Sequence, residues 1–370
     1  MISVFGSKVG EEEIANVSAV LNSQWLGFGG KVSEFEEKFS ARLGLKNFAM
    51  VDSGSNALYM AVTLLDLPPG SDVIVPTFTW VSCAQAVILA GHRPVFCDVE
   101  LDTLNVSRRT VEEARTENTR AIMIVHFAGK PVNMDPIMEL GLPVIEDAAH
   151  AVDSYYYGKP CGGIADVGIY SFDAVKNLTT GEGGGIATRE KSLIDRAKVL
   201  RYCGIGKSGF EAAASGANGK TRWWEYNIQE PFIKMLPTNI GAAIGLAQLE
   251  KIDDLQAYRK KIWDIYQNEF SDISWIVRPP EAEEHEQHSY FTYVIRVPRR
   301  DELAKHLFDA GIYTTLRYHP LHLNPLYHSA ASLKNSEILN EDSLSIPLHP
   351  NLTMEQVSLI VETIKQFPDA

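Results

Sequence analysis

Short apolar segments alternate with longer amphipathic segments through the first two thirds of the chain. Strands are predicted at residues 47–51, 73–76, 94–99, 121–127, 143–146, 167–172 and 184–188, and helices at 57–65, 133–140 and 190–201 and before residue 90. This alternation is typical of a mainly parallel β-sheet that is covered by helices on both faces. We therefore predict the α/β class, with a three-layer α/β/α large domain.

The length and the apolar content of the chain favour two domains. The chain has 370 residues, of which 45% are hydrophobic, and this is enough for more than one core. We predict a large domain with an N-terminal arm over residues 1–240 and a smaller C-terminal α+β domain over residues 241–370. A long helix that begins near Asn239 and runs without a break to about residue 270 is predicted to link them.

The two ends of the chain carry further predicted elements. A first helix, 10–23, has Ile14, Val17 and Leu21 on one face, and a second, 31–43, has Val32, Phe35, Phe39 and Leu43 on one face. The C-terminal part predicts strands at 289–297 and near Tyr313, and helices at 301–310, 334–340 and 353–366. Residues 203–237 predict an irregular insert between the large domain and the linking helix.

The formal net charge of the chain is −13 at pH 7 with histidine neutral. An acidic protein is repelled by nucleic-acid backbones and by anionic membrane surfaces, so neither is an expected partner. A phosphorylated small ligand remains compatible because it needs only a local positive field. Residues 73–91 carry no charge, but Pro76 and Gly91 predict a buried strand, a turn and a core helix there instead of a membrane span.

The four cysteines, Cys83, Cys97, Cys161 and Cys203, are scattered along the chain. No two of them have the spacing of metal ligands, and prolines separate the histidines of residues 319–328, so no metal site is expected. Scattered cysteines are typical of a reducing compartment. The first 13 residues lack the basic and apolar parts of a signal peptide. We therefore predict a cytoplasmic protein.

One lysine, Lys176, follows the predicted strand VGIYSF and precedes a run of small residues, NLTTGEGGG. A lone lysine after a strand is usually a solvated surface charge. Here a second strand, PVIE, leads into the acids Glu146 and Asp147, and open α/β sheets bind ligands outside the carboxyl ends of their strands. An amine and a carboxylate brought together there suit pyridoxal 5′-phosphate, which needs a lysine for its Schiff base and an acid for its pyridinium nitrogen.

The stretches EDAAHA (146–151) and SFDAVKNLTTGEGG (171–184) resemble the sugar aminotransferases of the DegT/DnrJ/EryC1/StrS family. The resemblance extends along nearly the whole chain, from WLGFGGKVSEFEEKF (25–39) to SIPLHPNLT (345–353). Its motifs are specific because several occur in the right order at compatible spacing. It implies a pyridoxal phosphate enzyme of fold type I, with the aspartate aminotransferase fold.

The resemblance implies roles for the lysine and the aspartate. Lys176 is expected to bind the cofactor and, once an amino donor displaces it, to move a proton at the substrate carbon. Asp147 is expected to keep the pyridine nitrogen protonated, which makes the ring an electron sink. Asp173 departs from the family, in which histidine is common at this position, so one substrate contact is expected to differ.

The resemblance also implies a set of binding residues. The cofactor is expected to contact Gly54, Ser55 and Ser171 through its phosphate, Trp80 by stacking, His150 near its phenolic oxygen, and Lys234 of the neighbouring subunit. His150 suits a satisfied core histidine equally well. Substrate contacts are expected at Trp25, Arg317, Tyr318 and His319. The segment FIKML (232–236) departs from the family pattern Gly-Tyr-Asn-Tyr-Arg, which leaves the role of the insert open.

The implied reaction moves an amino group from glutamate or glutamine to a keto-sugar, often nucleotide-linked, in a homodimer with shared active sites. A keto-cyclitol and a 3-deoxy-octulosonate-type sugar acid remain alternative acceptors. A related sugar dehydratase has histidine in place of the lysine, so Lys176 is evidence against that class. A non-catalytic sugar-sensing relative would be favoured by loss of Lys176 or Asp147, and both residues are present.

Overall fold

The computed structural model describes residues 1–206 and 224–368. The twelve strands of that part are β1 (Phe48–Val51), β2 (Asp72–Pro76), β3 (Arg93–Cys97), β4 (Thr119–Val125), β5 (Val144–Asp147), β6 (Tyr155–Tyr156), β7 (Lys159–Pro160), β8 (Val167–Ser171), β9 (Gly184–Thr188), β10 (Glu286–Gln287), β11 (Tyr293–Arg296) and β12 (Ser343–Ile346).

The α-helices of the same described ranges are α1 (Glu11–Asn22), α2 (Gly30–Leu43), α3 (Gly54–Leu64), α4 (Ser82–Leu89), α5 (Arg108–Glu113), α6 (Met134–Met138), α7 (Lys191–Leu200), α8 (Asn239–Glu250), α9 (Ile252–Glu269), α10 (Arg300–Asp309), α11 (Lys334–Asp342) and α12 (Met354–Lys365). Polar side chains set several of their starts. Thr238, for example, accepts a hydrogen bond from the N–H of Gly241 at the start of α8.

The large sheet has seven strands in the order β1-β9-β8-β5-β4-β2-β3. The strands from β8 to β3 are parallel to one another, whereas β9 runs antiparallel between β8 and β1. The order does not follow the chain, because helices cross over the sheet between parallel strands. The α/β fold with a mainly parallel sheet is therefore confirmed.

Apolar residues of the sheet pack on both of its faces. In β2, Ile74 belongs to one buried cluster, which includes Phe35 and Phe39 of α2. Its neighbours Val73 and Val75 belong to a second cluster, which includes residues of α3, α4 and α7. Successive side chains of a strand point to opposite faces, so one sheet separates two cores. The predicted three-layer arrangement is confirmed, as is the buried face of α2.

A third buried cluster lies in the C-terminal part. It joins side chains of α9, β11, α10, β12 and α12, with Trp263 and Tyr293 among its largest members. Strands β11 and β12 pair antiparallel, so this part combines a small sheet with helices. Ala242 and Leu246 of α8 belong instead to the first cluster. The predicted division at residue 240 stays a prediction.

The linking helix was expected to be continuous, and that expectation is wrong. Lys251 leaves the helical conformation, with φ −114° and ψ 9°, and separates α8 from α9. Its Nζ lies 2.7 Å from the carboxylate of Glu13 in α1. Leu246 of α8 and Ile252 at the start of α9 pack in the first cluster, whereas Trp263 further along α9 packs in the third. Helix α9 therefore passes from one core to the other.

The C-terminal strands also differ from the prediction. Only Tyr293–Arg296 of the predicted strand 289–297 pairs with β12, which the sequence prediction omitted. Near Tyr313 the described chain forms isolated bridges, Ile2 with Ile312 and Thr315 with Ser345, instead of a strand. Each bridge uses a different partner, so no continuous ladder forms.

The apolar face predicted for the first helix is not the buried one. Ile14 is 59% exposed and Leu21 is 47% exposed, whereas Glu13 and Val20 are buried. Glu13 accepts hydrogen bonds from the N–H of Gly10 and from Gln248. These contacts with α8 hold the acidic side of α1 inward, which leaves an apolar strip on the surface.

Part of the predicted irregular insert, residues 207–223, lies outside the described residues. No helix within 1–206 and 224–368 is long and apolar enough to cross a membrane. In those same ranges, no group of three or more His, Cys, Asp or Glu side chains is arranged to hold a metal ion.

Candidate active site

The carboxyl ends of β5 and β8 meet at one edge of the sheet, beside a cavity of about 390 Å³. Asp147 is the last residue of β5 and Ser171 is the last residue of β8. The two strands are parallel neighbours, so their ends lie side by side. The cavity is lined by most of the predicted site residues, namely Gly54, Ser55, Trp80, Asp147, His150, Ser171, Lys176, Arg317 and Tyr318.

The two acids at the end of β5 have different environments. Because they are adjacent in a strand, their side chains point to opposite faces of the sheet. Glu146 is fully buried, lies 2.9 Å from Nε2 of His126, and accepts hydrogen bonds from the N–H groups of Gly162 and Ile164. Asp147 faces the cavity. Of the two acids, only Asp147 can contact a ligand there.

Two donors hold the carboxylate of Asp147. The N–H of Ala149 donates to Oδ1 at 2.9 Å, and the thiol of Cys83 donates to Oδ2 at 3.1 Å. Burial raises the pKa of Asp147, although both hydrogen bonds and the charge of Lys176 act in the opposite direction. A cation bound against Asp147 would offset the cost of burying its negative charge.

Lys176 enters the cavity from the loop after β8, and its side chain is partly buried. Its Nζ lies 4.9 Å from the centre of the Phe291 ring. Burial and the positive charge of Arg317 lower the pKa of Lys176 to about 8, against the carboxylates of Asp147 and Asp173. The amine therefore loses its proton more readily than an exposed lysine, and the unprotonated amine is the form that acts as a nucleophile or a base.

Helix α3 begins at the cavity. Ser53 caps it by accepting a hydrogen bond from the N–H of Asn56, and the first N–H groups of a helix have no partner inside it. A Cβ on Gly54 would lie 2.8 Å from Cβ of Ser171, so the backbone approaches this side chain closely. Ser55 Oγ lies 2.7 Å from Ser82 Oγ. Hydroxyl and N–H groups at a helix N-terminus form an arrangement that binds phosphate.

Aromatic side chains also lie beside Lys176. The imidazole of His150 stacks on Phe291, with ring centres 4.1 Å apart, and its Nε2 lies 3.1 Å from the hydroxyl of Tyr318. Burial, with the charges of Lys176 and Arg317, holds the pKa of His150 well below its usual value. The ring is therefore neutral at pH 7. Its Nδ1 is buried and has no hydrogen-bond partner in the described structure.

Three predicted site residues lie outside the cavity lining. Trp25 is 62% exposed, and its indole N–H donates to the carbonyl of Phe28. His319 is exposed, with Nδ1 2.9 Å from the amide oxygen of Asn340. Lys234 is also exposed and forms a backbone bridge with Tyr202. Their predicted contacts with substrate, or with a neighbouring subunit's cofactor, stay predictions.

The sequence prediction missed several residues at the site. Cys83 holds Asp147, Phe5 and Glu182 line the cavity, and Phe291 lies against both His150 and Lys176. No sequence pattern distinguishes Cys83 or Phe291 from ordinary core residues. Glu182 lies inside the motif TTGEGG, which follows Lys176 in the sequence, and this proximity could have indicated that Glu182 lies at the site. Asp173, the departure from the family pattern, also lines the cavity.

The residues present fit pyridoxal 5′-phosphate. The N-terminus of α3 offers donors for a phosphate, and Gly54 leaves it open because a side chain there would meet Ser171. Asp147 is a buried acid without a cationic hydrogen-bond partner in the described structure, and a pyridinium N–H would supply one. Together with the mainly parallel sheet, the amine of Lys176 beside this acid defines a pyridoxal phosphate enzyme of fold type I.

Comparisons with known proteins agree with this class. The model of the DegT/DnrJ/EryC1/StrS aminotransferase family matches residues 7–365. A dTDP-4-dehydro-2,3,6-trideoxy-D-glucose 4-aminotransferase of Saccharopolyspora spinosa is 35% identical, over 99% of this chain and 96% of its own. The spore coat polysaccharide biosynthesis protein SpsC of Bacillus subtilis is also 35% identical, over 97% of this chain and 95% of its own.

A solved structure resembles the whole fold. Spr1654 of Streptococcus pneumoniae, in its PMP form, superposes with a TM-score of 0.91 at 30% identity and covers 99% of this chain and 98% of its own. The chain belongs to the DegT/DnrJ/EryC1/StrS aminotransferase family. It is an aminotransferase that depends on pyridoxal 5′-phosphate.

Proposed function

We propose that this aminotransferase transfers an amino group from glutamate or glutamine to a keto-sugar, most simply a nucleotide-linked one. The observation that carries the reaction type is the pairing of Lys176, whose pKa is lowered to about 8, with the buried acid Asp147 in one cavity. The Saccharopolyspora spinosa relative is a dTDP-4-dehydro-2,3,6-trideoxy-D-glucose 4-aminotransferase, and its dTDP-linked keto-sugar supports the choice of acceptor.

Each side chain has a task in this proposal. The cofactor, when bound, withdraws electrons from the substrate carbon that carries the amino group. Lys176 Nζ would hold the cofactor covalently and, once released, would accept and return the proton of that carbon. Asp147 would hold a proton on the ring nitrogen through its carboxylate. Gly54, Ser55 and Ser171 would bind the phosphate.

The aromatic residues position the cofactor and exclude water in the same proposal. Trp80 lines the cavity and would stack on the ring of the bound cofactor, and its ring centre lies 5.7 Å from that of Tyr318. His150 is neutral and stacked on Phe291, so it can accept or donate a hydrogen bond without adding charge beside Lys176. A positive charge on His150 would lower the pKa of Lys176 further, whereas the neutral ring leaves it at about 8.

A panel of acceptors tests the proposed substrate. The enzyme would first be converted to its aminated form with L-glutamate or L-glutamine, and keto-sugars would then be added while the cofactor absorbance is followed. We expect nucleotide-linked keto-sugars to restore the original spectrum faster than free keto-sugars. A response confined to a keto-cyclitol or to a sugar acid would reject the proposed acceptor.

We also propose that the enzyme is a homodimer with shared active sites. The exposed strip of α1 supports this, because Ile14 and Leu21 lie near the exposed Trp25 and Leu26 in the sequence and present apolar surface to solvent. Lys234 is exposed and outside the cavity of its own chain. In a two-fold dimer it would add a cation to the phosphate site of the partner subunit.

Subunit mixing tests the shared site. Chains with Lys176→Ala and chains with Lys234→Glu are each expected to be inactive. In a mixed dimer with shared sites, one site carries both substitutions and the other carries neither, so activity should return. The absence of recovery after verified subunit exchange, or a stable active monomer in sedimentation, would reject shared sites.

We place the enzyme in the cytoplasm. Cys83, Cys97, Cys161 and Cys203 are all free thiols, which is typical of a reducing compartment. Expression with fluorescent fusion and fractionation tests this placement, and recovery in a secreted or membrane fraction would contradict it.

A further inference from the structure

Arg317 is a buried cation without a carboxylate partner in the described part of the chain. It is 8% exposed, and its guanidinium lies 3.5 Å from the ring centre of Phe5 and 4.9 Å from that of Phe291. Its Nη1 donates to the hydroxyl of Tyr318 at 3.0 Å. Removing a charge from water is costly unless an opposite charge compensates it, so this arrangement lacks an anion.

Two other buried arginines show the contrast. Arg201 has its guanidinium 2.5 Å from the carboxylate of Glu36. Arg259 donates to the backbone carbonyl of Leu348 at 3.2 Å, and its Nε is sealed without a partner. Neither lines the cavity, whereas Arg317 does. The donors that Arg317 does not use on Tyr318 are therefore available to a molecule in that space.

The position of Arg317 relative to Lys176 limits what this molecule is. The guanidinium of Arg317 and the Nζ of Lys176 each lie 4.9 Å from the centre of the same ring, that of Phe291. Both cations thus border one ring of the same cavity, so an anion on Arg317 lies in the part of the cavity that holds the reacting amine. The planar fork of a guanidinium matches a carboxylate with two parallel hydrogen bonds.

We propose that Arg317 binds a carboxylate of the amino donor, an inference that rests on the function proposed above. In an α-amino acid the carboxylate and the amine are bonded to the same carbon. A carboxylate held on Arg317 therefore directs the amine toward Lys176. The phosphate of the cofactor is assigned to Gly54 and Ser55 at the start of α3, where the helix N-terminus supplies its donors, so it does not need this cation.

The acceptor is a second source of carboxylate, if it is a sugar acid. A nucleotide-linked keto-sugar carries its negative charge on phosphates several bonds from the keto carbon, and that separation does not suit a cation beside Lys176. Asp173 and Glu182, which also line the cavity, can accept hydrogen bonds from sugar hydroxyls. A cation in this part of the cavity therefore suits the donor, and an acid on the sugar is an outcome that the test below distinguishes.

The test compares a dianion with its neutral counterpart. Binding of glutarate and of glutaramide to the enzyme loaded with its cofactor would be measured by calorimetry in wild type, Arg317→Gln and Arg317→Lys. We expect Arg317→Gln to weaken the binding of glutarate at least about tenfold, because a charge-assisted pair is lost, and to leave the binding of glutaramide unchanged. The affinity of Arg317→Lys for glutarate should lie between those of wild type and Arg317→Gln, because the charge stays but the planar pair of donors is lost.

A matched control is Arg120→Gln. Arg120 is exposed, donates to the carbonyls of Glu117 and Thr119, and has no carboxylate within ion-pair distance among the described residues. This variant removes the same charge far from the cavity lining and should leave glutarate binding unchanged. Thermal unfolding of each variant checks that Arg317→Gln remains folded, and glutaramide binding checks that its cavity is intact.

Two further measurements separate the sources of carboxylate. Conversion of the cofactor by L-glutamate reports the donor, and binding of D-glucuronate to the aminated enzyme reports an acid on the sugar. We expect Arg317→Gln to raise the glutamate concentration for half-maximal conversion at least about tenfold and to leave glucuronate binding unchanged. The reverse pattern would overturn the donor assignment.

Failure of the inference differs from failure of the proposed function. If glutarate and glutamate bind Arg317→Gln as well as wild type while wild type still transfers the amino group, the inference is overturned and the function stands. If wild type reacts with neither L-glutamate nor L-glutamine, the proposed donor is rejected. An Arg317-dependent preference for glutarate over glutaramide would then still support a carboxylate site.

Discussion

The cavity has two walls that differ in origin. The sheet wall, Gly54, Asp147, Ser171 and Lys176, comes from residues at or just after strand ends. The loop wall, Phe5, Arg317 and Tyr318, comes from the N-terminal arm and from irregular chain after α10. Rigid strand ends hold groups whose positions must be exact for the reaction, whereas loops can vary with the substrate.

The difference between the walls predicts different kinetic effects. Substitutions in the sheet wall should lower the rate with any substrate, because they remove groups that act on the cofactor. Substitutions in the loop wall should change the concentration of donor or acceptor that is needed, and leave the chemical step of a bound substrate closer to normal.

The largest effect is expected for Lys176→Ala. Loss of the only amine assigned to proton transfer should lower turnover by on the order of 10⁴-fold or more, while the fold remains, because the residue lines a cavity and is not part of a packed core. Borohydride reduction of wild type followed by peptide mapping should find the cofactor on Lys176. A label on another lysine would show that Lys176 does not bind the cofactor.

The second prediction uses the adjacent acids as a matched pair. Asp147→Asn should retain the cofactor but lose about a hundredfold to a thousandfold in turnover, because a neutral amide does not hold the ring proton as a carboxylate does. Glu146→Gln should keep its turnover per folded molecule and lose about 3 kcal/mol of unfolding free energy, because its hydrogen bonds to His126 and to backbone N–H groups are buried.

Turnover and chemical denaturation would be measured for both variants, Asp147→Asn and Glu146→Gln. A near-normal rate in Asp147→Asn would mean that the ring nitrogen keeps its proton by another route. A large loss of turnover in well-folded Glu146→Gln would show that the opposite face of the sheet contributes to the chemistry.

The same contrast explains what the sequence could predict. Strand ends are visible as boundaries of apolar runs, so the sheet, the cavity edge and the pair Lys176 and Asp147 followed from pattern and resemblance. Alternation along β5 could have assigned Glu146 to the opposite face, but the side that carries the cofactor depends on the strand order, which short segments do not reveal.

Contacts that join distant parts of the chain were harder to predict in both walls. In the loop wall Phe5 contacts Arg317, and in the sheet wall Cys83 donates to Asp147. No local sequence pattern marks either contact. The prediction of the buried face of α1 was wrong for a related reason. Amphipathic spacing showed that one side was apolar, but the hydrogen bonds of Glu13 to α8 determined which side turned inward.

A smaller effect is expected for Cys83, which supports Asp147 within the sheet wall. Cys83→Ala removes the donor to Oδ2 and should lower turnover about tenfold, since a hydrogen bond to a charged group contributes about 1.5 kcal/mol or more. Cys83→Ser replaces the thiol by a hydroxyl and should restore most of the rate. The absorbance of the bound cofactor against pH should shift in Cys83→Ala and not in Cys83→Ser. Equal spectra in all three proteins would mean that the thiol only fills space.

The smallest effect concerns electrostatic coupling between the walls. In the cofactor-free protein, burial and Arg317 lower the pKa of Lys176 from 10.5 to about 8. The folded chain therefore releases this proton between about pH 8 and pH 10.5, while the unfolded chain keeps it. Stability contributed by this group must rise with pH across that window, because the unfolded state binds more protons there.

Lys176→Met isolates this contribution. The variant should be more stable than wild type at pH 7.5, and its advantage should shrink by about 1–2 kcal/mol by pH 10.5, which allows for solvent screening of a partly buried amine. Denaturant unfolding of cofactor-free wild type and variant at both pH values measures the difference. In an Arg317→Gln background the change should be smaller, because one cause of the lowered pKa is gone. An equal change with pH in both backgrounds would mean that the charge of the loop wall does not reach Lys176, and a pH-independent difference would mean that the pKa of Lys176 is not lowered.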